Sequence, residues 1–129
     1  MHVNRLDHVN IRTPALAETV AFYESVLGFR RGAVAAPVDQ NRNAWLFDKA
    51  GKPLIHVSMP DENEPARNVG NTSRLDHIAF DCTGVDEIAG VLGNLGVPYD
   101  YRDLSTHGFV QFVVRDPNGI SVELNFRTS

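Results

Sequence analysis

Three histidines and one glutamate stand at matching places in a doubled pattern. Residues 6–9 read LDHV and residues 75–78 read LDHI, placing His8 and His77 at the same point of each. His56 lies in PLIHVSM (53–59) and Glu123 in ISVELNF (120–126). All four stretches alternate in the manner of half-buried strands. Alternation assigns faces. Leu6, His8 and Asn10 oppose Asp7, Val9 and Ile11; Leu54, His56 and Ser58 oppose Ile55, Val57 and Met59. Leu75, His77 and Ala79 oppose Asp76, Ile78 and Phe80; Ser121, Glu123 and Asn125 oppose Ile120, Val122, Leu124 and Phe126. One face is therefore apolar. The other carries His8, His56, His77 and Glu123, a set suited to a lined cavity rather than a dry core. Imidazole and carboxylate together suit a first-row divalent ion, and Zn, Ni, Fe, Mn and Co all accept them, so the donor set does not choose among these metals. Asp7 and Asp76 fall on the opposite face and are not assigned as ligands.

Further candidates are weaker, and each has a plainer reading. His107 precedes Gly108 near a strand start; it is a substrate-contact candidate, or an exposed loop histidine. Trp45 shares a strand face with Phe47 and lines a pocket or packs in the core. Gln111 faces the cavity in one register and turns away if the register slips by one. Arg12, Arg67 and Arg102 are candidates for holding an anion, against the plainer reading of solvated charges. Cys82 reads as a small apolar residue.

These residues need a scaffold, and the repeat supplies it. After LDHVNI, Thr13 reads as an N-cap with Pro14 at the first helical position. Leu16, Val20, Tyr23 and Leu27 form an apolar stripe, closed by Gly28. After LDHIAF, Thr83 and Asp86 resemble a capping box. Val85, Ile88, Leu92 and Leu95 form the second stripe, closed by Gly96. FRRGAV and VPYDYR follow as strands. Each half ends in a hairpin: NAWLFD through KAGK to PLIHVSM, and FVQFVVR through DPNG to ISVELNF, where Pro and Gly favour a turn. The chain thus reads as α+β, with two βαβββ modules, 1–59 and 75–129. Residues 60–74 form a polar linker. A module of this size covers one sheet face with its helix and must pair its other face, most simply with its twin.

Composition narrows the class. A chain of 129 residues suits one compact domain or two fused halves. The net charge of −4 and the scattered basic residues give no nucleic-acid surface. No apolar run is long enough to span a bilayer. The N-terminus lacks a signal-peptide profile, and the single cysteine excludes an internal disulfide framework, so a cytoplasmic location is the default.

LDHVNIRTPALAETVAFYESVLGF, PLIHVSMP, RLDHIAF and VRDPNGISVELNF together resemble the vicinal oxygen chelate superfamily, which holds glyoxalase I, extradiol dioxygenases, fosfomycin-resistance enzymes, methylmalonyl-CoA epimerase and bleomycin-resistance proteins. The resemblance covers nearly the whole chain. It implies paired βαβββ modules forming a curved mixed sheet around a metal-containing cleft, with one divalent ion per site. His8, His77 and Glu123 match the family's ligand positions. His56 matches a position that is Glu in glyoxalase I and Gln in the epimerase. The resemblance leaves His56 as a fourth ligand or as a base, and marks His56 and Glu123 as the catalytic candidates. It implies a substrate that chelates through vicinal oxygens, with a glyoxalase-like lyase or isomerase ahead of an Fe(II) extradiol dioxygenase. A ligand-sequestering protein of the bleomycin-resistance kind is the non-catalytic alternative. A homodimer is expected, because sheet edges and apolar surface need cover, with the site within one chain or shared by module exchange.

Overall fold

The computed structural model describes residues 1–33, 39–67 and 74–128. Two compact units divide the chain, Met1–Arg67 and Asn68–Ser129. In the first, β1 (Val9–Arg12) leads to α1 (Leu16–Leu27), then β2 (Arg30–Gly32), β3 (Asn43–Phe47) and β4 (Pro53–Ser58). The second repeats the order: β5 (His77–Cys82), α2 (Val85–Leu95), β6 (Asp100–Leu104), a single 3-10 turn at Ser105–His107, β7 (Phe109–Arg115) and β8 (Ser121–Arg127). Each unit has its own four-stranded mixed sheet, ordered β1-β4-β3-β2 and β5-β8-β7-β6. The first and last strands of each unit run parallel side by side, and the other pairs are antiparallel. This pairing brings the strand of each LDH motif next to the strand that carries His56 or Glu123.

The apolar faces form the cores. Ile11, Leu46, Ile55 and Val57 are buried in the first unit with Tyr23 of α1; Val114, Val122, Leu124 and Phe126 are buried in the second with Leu92 of α2. Both helices end as expected. Gly28 and Gly96 adopt positive φ, of 71° and 66°, and the chain turns back with Phe29 N–H donating to Tyr23 O and Val97 N–H to Leu92 O.

The helix starts differ from the sequence reading. Thr13 does not cap α1: its backbone N–H donates to Ser58 O at 2.8 Å, which extends the β1–β4 ladder by one residue. Its hydroxyl instead accepts from Ala15 N–H, and the helix begins at Leu16. Thr83 and Asp86 form no capping box either; Gly84, at φ 88°, precedes α2 with no side-chain cap bond. The first stripe ends on buried Val26 rather than Leu27, and the second buries only Ile88 and Leu92. Val85 and Leu95 are exposed at the two ends of α2.

The 60–74 linker is partly structured. Glu64 clasps Arg12 of β1 through Nε at 2.8 and 2.9 Å and Nη2 at 2.7 Å, so its first residues belong to the first unit. Residues 68–73 of that segment, and Val34 of FRRGAV, lie outside the described residues.

Candidate metal centre

In the first unit the parallel register sets Asn10 beside His56, and the antiparallel register sets Trp45 against His56. His8, Asn10, Trp45, His56 and Ser58 therefore share the face away from the core. The His56 ring stacks on Trp45, with centroids 4.4 Å apart and planes within 6°. His8 meets the same indole edge-on at 4.8 Å and lies 6.4 Å from His56, centroid to centroid. The Trp45 Nε1 is buried and meets no acceptor among the described residues. His56 Nε2 lies 2.8 Å from Asn43 Oδ1. With Asn43 accepting, Nε2 carries the proton and Nδ1 keeps the lone pair. Burial, then the neighbouring His8 and Arg12, push the His56 pKa below 6.5, so the ring is neutral near pH 7. Arg12 is committed to Glu64 and Ser58 and does not offer a free cation.

In the second unit Ala79 pairs with Glu123, and Val113 and Gln111 of β7 face Glu123 and Asn125 of β8. His77 Nε2 comes to 3.6 Å from Glu123 Oε2. Gln111 lies on this face and is buried. Its amide nitrogen donates to Glu123 Oε2 at 3.0 Å and to Asn125 Oδ1 at 2.9 Å, and its carbonyl accepts from Arg102 Nη1 at 3.2 Å. The side chain is thus fully used in holding Glu123 in place. His107 ends the exposed 3-10 turn, with Thr106 as its hydrogen-bond partner.

Two residues that strand alternation set aside take part. Asp7 Oδ2 lies 2.6 Å from His8 Nδ1, and Asp76 Oδ2 lies 2.9 Å from His77 Nδ1. Alternation does not govern them: β1 starts at Val9 and β5 at His77, so both aspartates precede the ladder. The hydrogen bond to Asp76, then the charge of Glu123, raise the His77 pKa. Asn43 was also missed. The repeated Asp-His adjacency was the available signal for the aspartates; nothing in the sequence marked Asn43.

The sequence model of the Glyoxalase/Bleomycin resistance protein/Dioxygenase superfamily matches residues 5–124. The chain belongs to this superfamily. It is 27% identical over 128 residues to Glyoxylase I 4 of Arabidopsis thaliana, across 96% of this chain and 71% of that protein. It is 26% identical over 130 residues to a virulence protein of Salmonella typhimurium, across 97% and 85% of the two. Among solved structures, a glyoxylase/bleomycin resistance protein/dioxygenase domain from Frankia aligns at a TM-score of 0.75 with 18% identity, covering 98% of this chain and 99% of that one. A fosfomycin resistance protein from Mesorhizobium loti aligns at 0.69, also with 18% identity, covering 98% and 95%. At these identities the structural matches carry the fold alone. The superfamily contains enzymes, among them glyoxalase I and dioxygenases, and also non-enzymes; divalent metals are common in it.

Among the described residues no three His, Cys, Asp or Glu side chains come together closely enough to hold a metal ion, so the candidates are compared with a metal's needs in pairs and singly. Ligand bonds of about 2.0–2.2 Å at tetrahedral or right angles put donor atoms roughly 2.8–3.6 Å apart. His77 Nε2 and Glu123 Oε2 meet that spacing without rearrangement. His8 has its Nδ1 occupied by Asp7, which leaves Nε2 to coordinate. His56 is different, because its Nε2 is engaged by Asn43.

Proposed function

We propose that this superfamily member is a divalent-metal-dependent enzyme whose substrate chelates through two adjacent oxygens, and that its chemistry is of the glyoxalase-like lyase or isomerase kind. The supporting observation is the His77–Glu123 pair: two donors at metal-ligand spacing, each backed by a partner of its own, Asp76 and Gln111. His8, His77 and Glu123 are the proposed ligands. A divalent ion held by these residues would supply Lewis acidity towards the substrate's adjacent oxygens.

His56 is the proposed proton carrier. Its neutral ring, with Nε2–H on Asn43, keeps a basic Nδ1 near pH 7. Trp45 holds the ring plane and gives an apolar wall beside it. The working form is proposed as a homodimer; exposed Leu6 and Leu75, at repeat-equivalent positions, are apolar surface that a second copy would cover.

Elemental analysis of protein purified without added metal, followed by reconstitution, tests the reading. Ni, Zn, Co or Mn near one ion per site, with turnover of a hemithioacetal or an epimerisable acid and no O₂ uptake, is the expected result. Stoichiometric Fe(II) with catechol ring cleavage would replace it with an oxygenase. No metal uptake at neutral pH would sink it in favour of a ligand-sequestering protein.

A further inference from the structure

We propose that Asp7 and Asp76 are positioning residues that fix the tautomer of His8 and His77, so that both rings present Nε2 as a lone pair. The inference rests on the metal reading for its purpose but on separate geometry for its content. An ionised carboxylate only accepts hydrogen bonds. In the neutral ring, a contact of 2.6 or 2.9 Å to Nδ1 therefore places the proton on Nδ1 and leaves Nε2 bare. The same contact forms in both units, from the residue just before each histidine. Duplication of the contact is the observation that lifts it above a chance surface pair, since both aspartates are largely solvent-exposed. In the second unit the bare Nε2 points to Glu123.

The three histidines are thereby sorted. Asp7 and Asp76 hold the Nδ1–H form of His8 and His77, whereas Asn43 holds the Nε2–H form of His56. A carboxylate behind a metal-bound imidazole also raises its basicity, and loss of such a partner weakens metal binding about 10–100-fold.

Long-range ¹H–¹⁵N spectra of the metal-free protein, recorded well above the imidazole titration range, read each tautomer directly. His8 and His77 are expected as Nδ1–H and His56 as Nε2–H. Asp76→Ala should move His77 alone towards Nε2–H, and Asp7→Ala should move His8 alone. Each should weaken Co(II) binding about tenfold. Asp76→Asn, whose Oδ1 still accepts, should retain the tautomer and most of the affinity. Circular dichroism identical to that of the parent separates these effects from misfolding, as the exposure of both aspartates leads one to expect. Unchanged tautomers in the alanine variants overturn the inference even where Co(II) binds well. Tautomers that follow the aspartates in a protein that takes up no Co(II) uphold the positioning and discard the metal reading.

Discussion

His56 and His77 sit on the same kind of strand face yet meet opposite surroundings. His56 is stacked on Trp45, partly desolvated and near positive groups; His77 has Asp76 on one nitrogen and Glu123 near the other. In the metal-free protein the His56 midpoint should therefore lie below 6.5 and that of His77 above it, as read by NMR titration. The linkage signs follow. His77, with a raised folded pKa, contributes stability that is present below 6.5 and lost as pH rises through the folded value. His56, with a lowered one, costs stability as pH falls through 6.5, because the unfolded chain takes up that proton first. His56→Gln should flatten the acid loss, and His77→Gln should steepen it. Midpoints in the reverse order would refute this account of both rings. Alternation put His56, His77 and Glu123 on the face away from the core, whereas His8 precedes β1 as Asp7 does. It did not tell which nitrogen each ring presents, because that depends on Asp7, Asp76 and Asn43, whose contacts no periodicity encodes.

At the level of elements, the two hairpins repeat one device with unequal strength. Asp116 is buried, and its Oδ1 accepts from the N–H groups of Asn118 and Ile120 at 2.8 and 2.9 Å. Its backbone N–H closes the turn onto Ile120 O. Asp48, less buried, takes one such bond, from Lys52 N–H. The hairpin after Asp116 sets the β7–β8 register, and with it the contact of Gln111 to Glu123. Asp116→Ala strands two amide groups and should cost about 1–3 kcal/mol in urea unfolding, at the upper end for a buried site. Asp48→Ala should cost less than half as much. Equal costs would refute the unequal roles of the two aspartates. Pro and Gly made the DPNG turn visible in the sequence; the larger role of Asp116 follows from its burial, which turn chemistry does not disclose. The helix ends were legible for the same local reason, at Gly28 and Gly96. The starts were not: Ala15 rather than Thr13 precedes the first helix, and Gly84 precedes the second with no side-chain cap bond.

For the whole molecule, the ligand inventory is the constraint. The proposed ligands are His8 of the first unit and His77 and Glu123 of the second, so neither unit carries all three. His8→Ala and His77→Ala should then each weaken Co(II) binding by more than about 100-fold, beyond the 10–100-fold typical of losing an outer partner. His56→Ala should weaken it far less and suppress turnover instead. Retention of affinity in His8→Ala would confine the metal to the second unit and overturn the shared set. The same two variants report whether one chain or two build the site. When His8→Ala and His77→Ala chains are unfolded together and refolded, a site within one chain stays broken in every molecule. A site built from one unit of each chain is restored at about a quarter of positions, since roughly half the dimers are mixed and one of their two sites is intact.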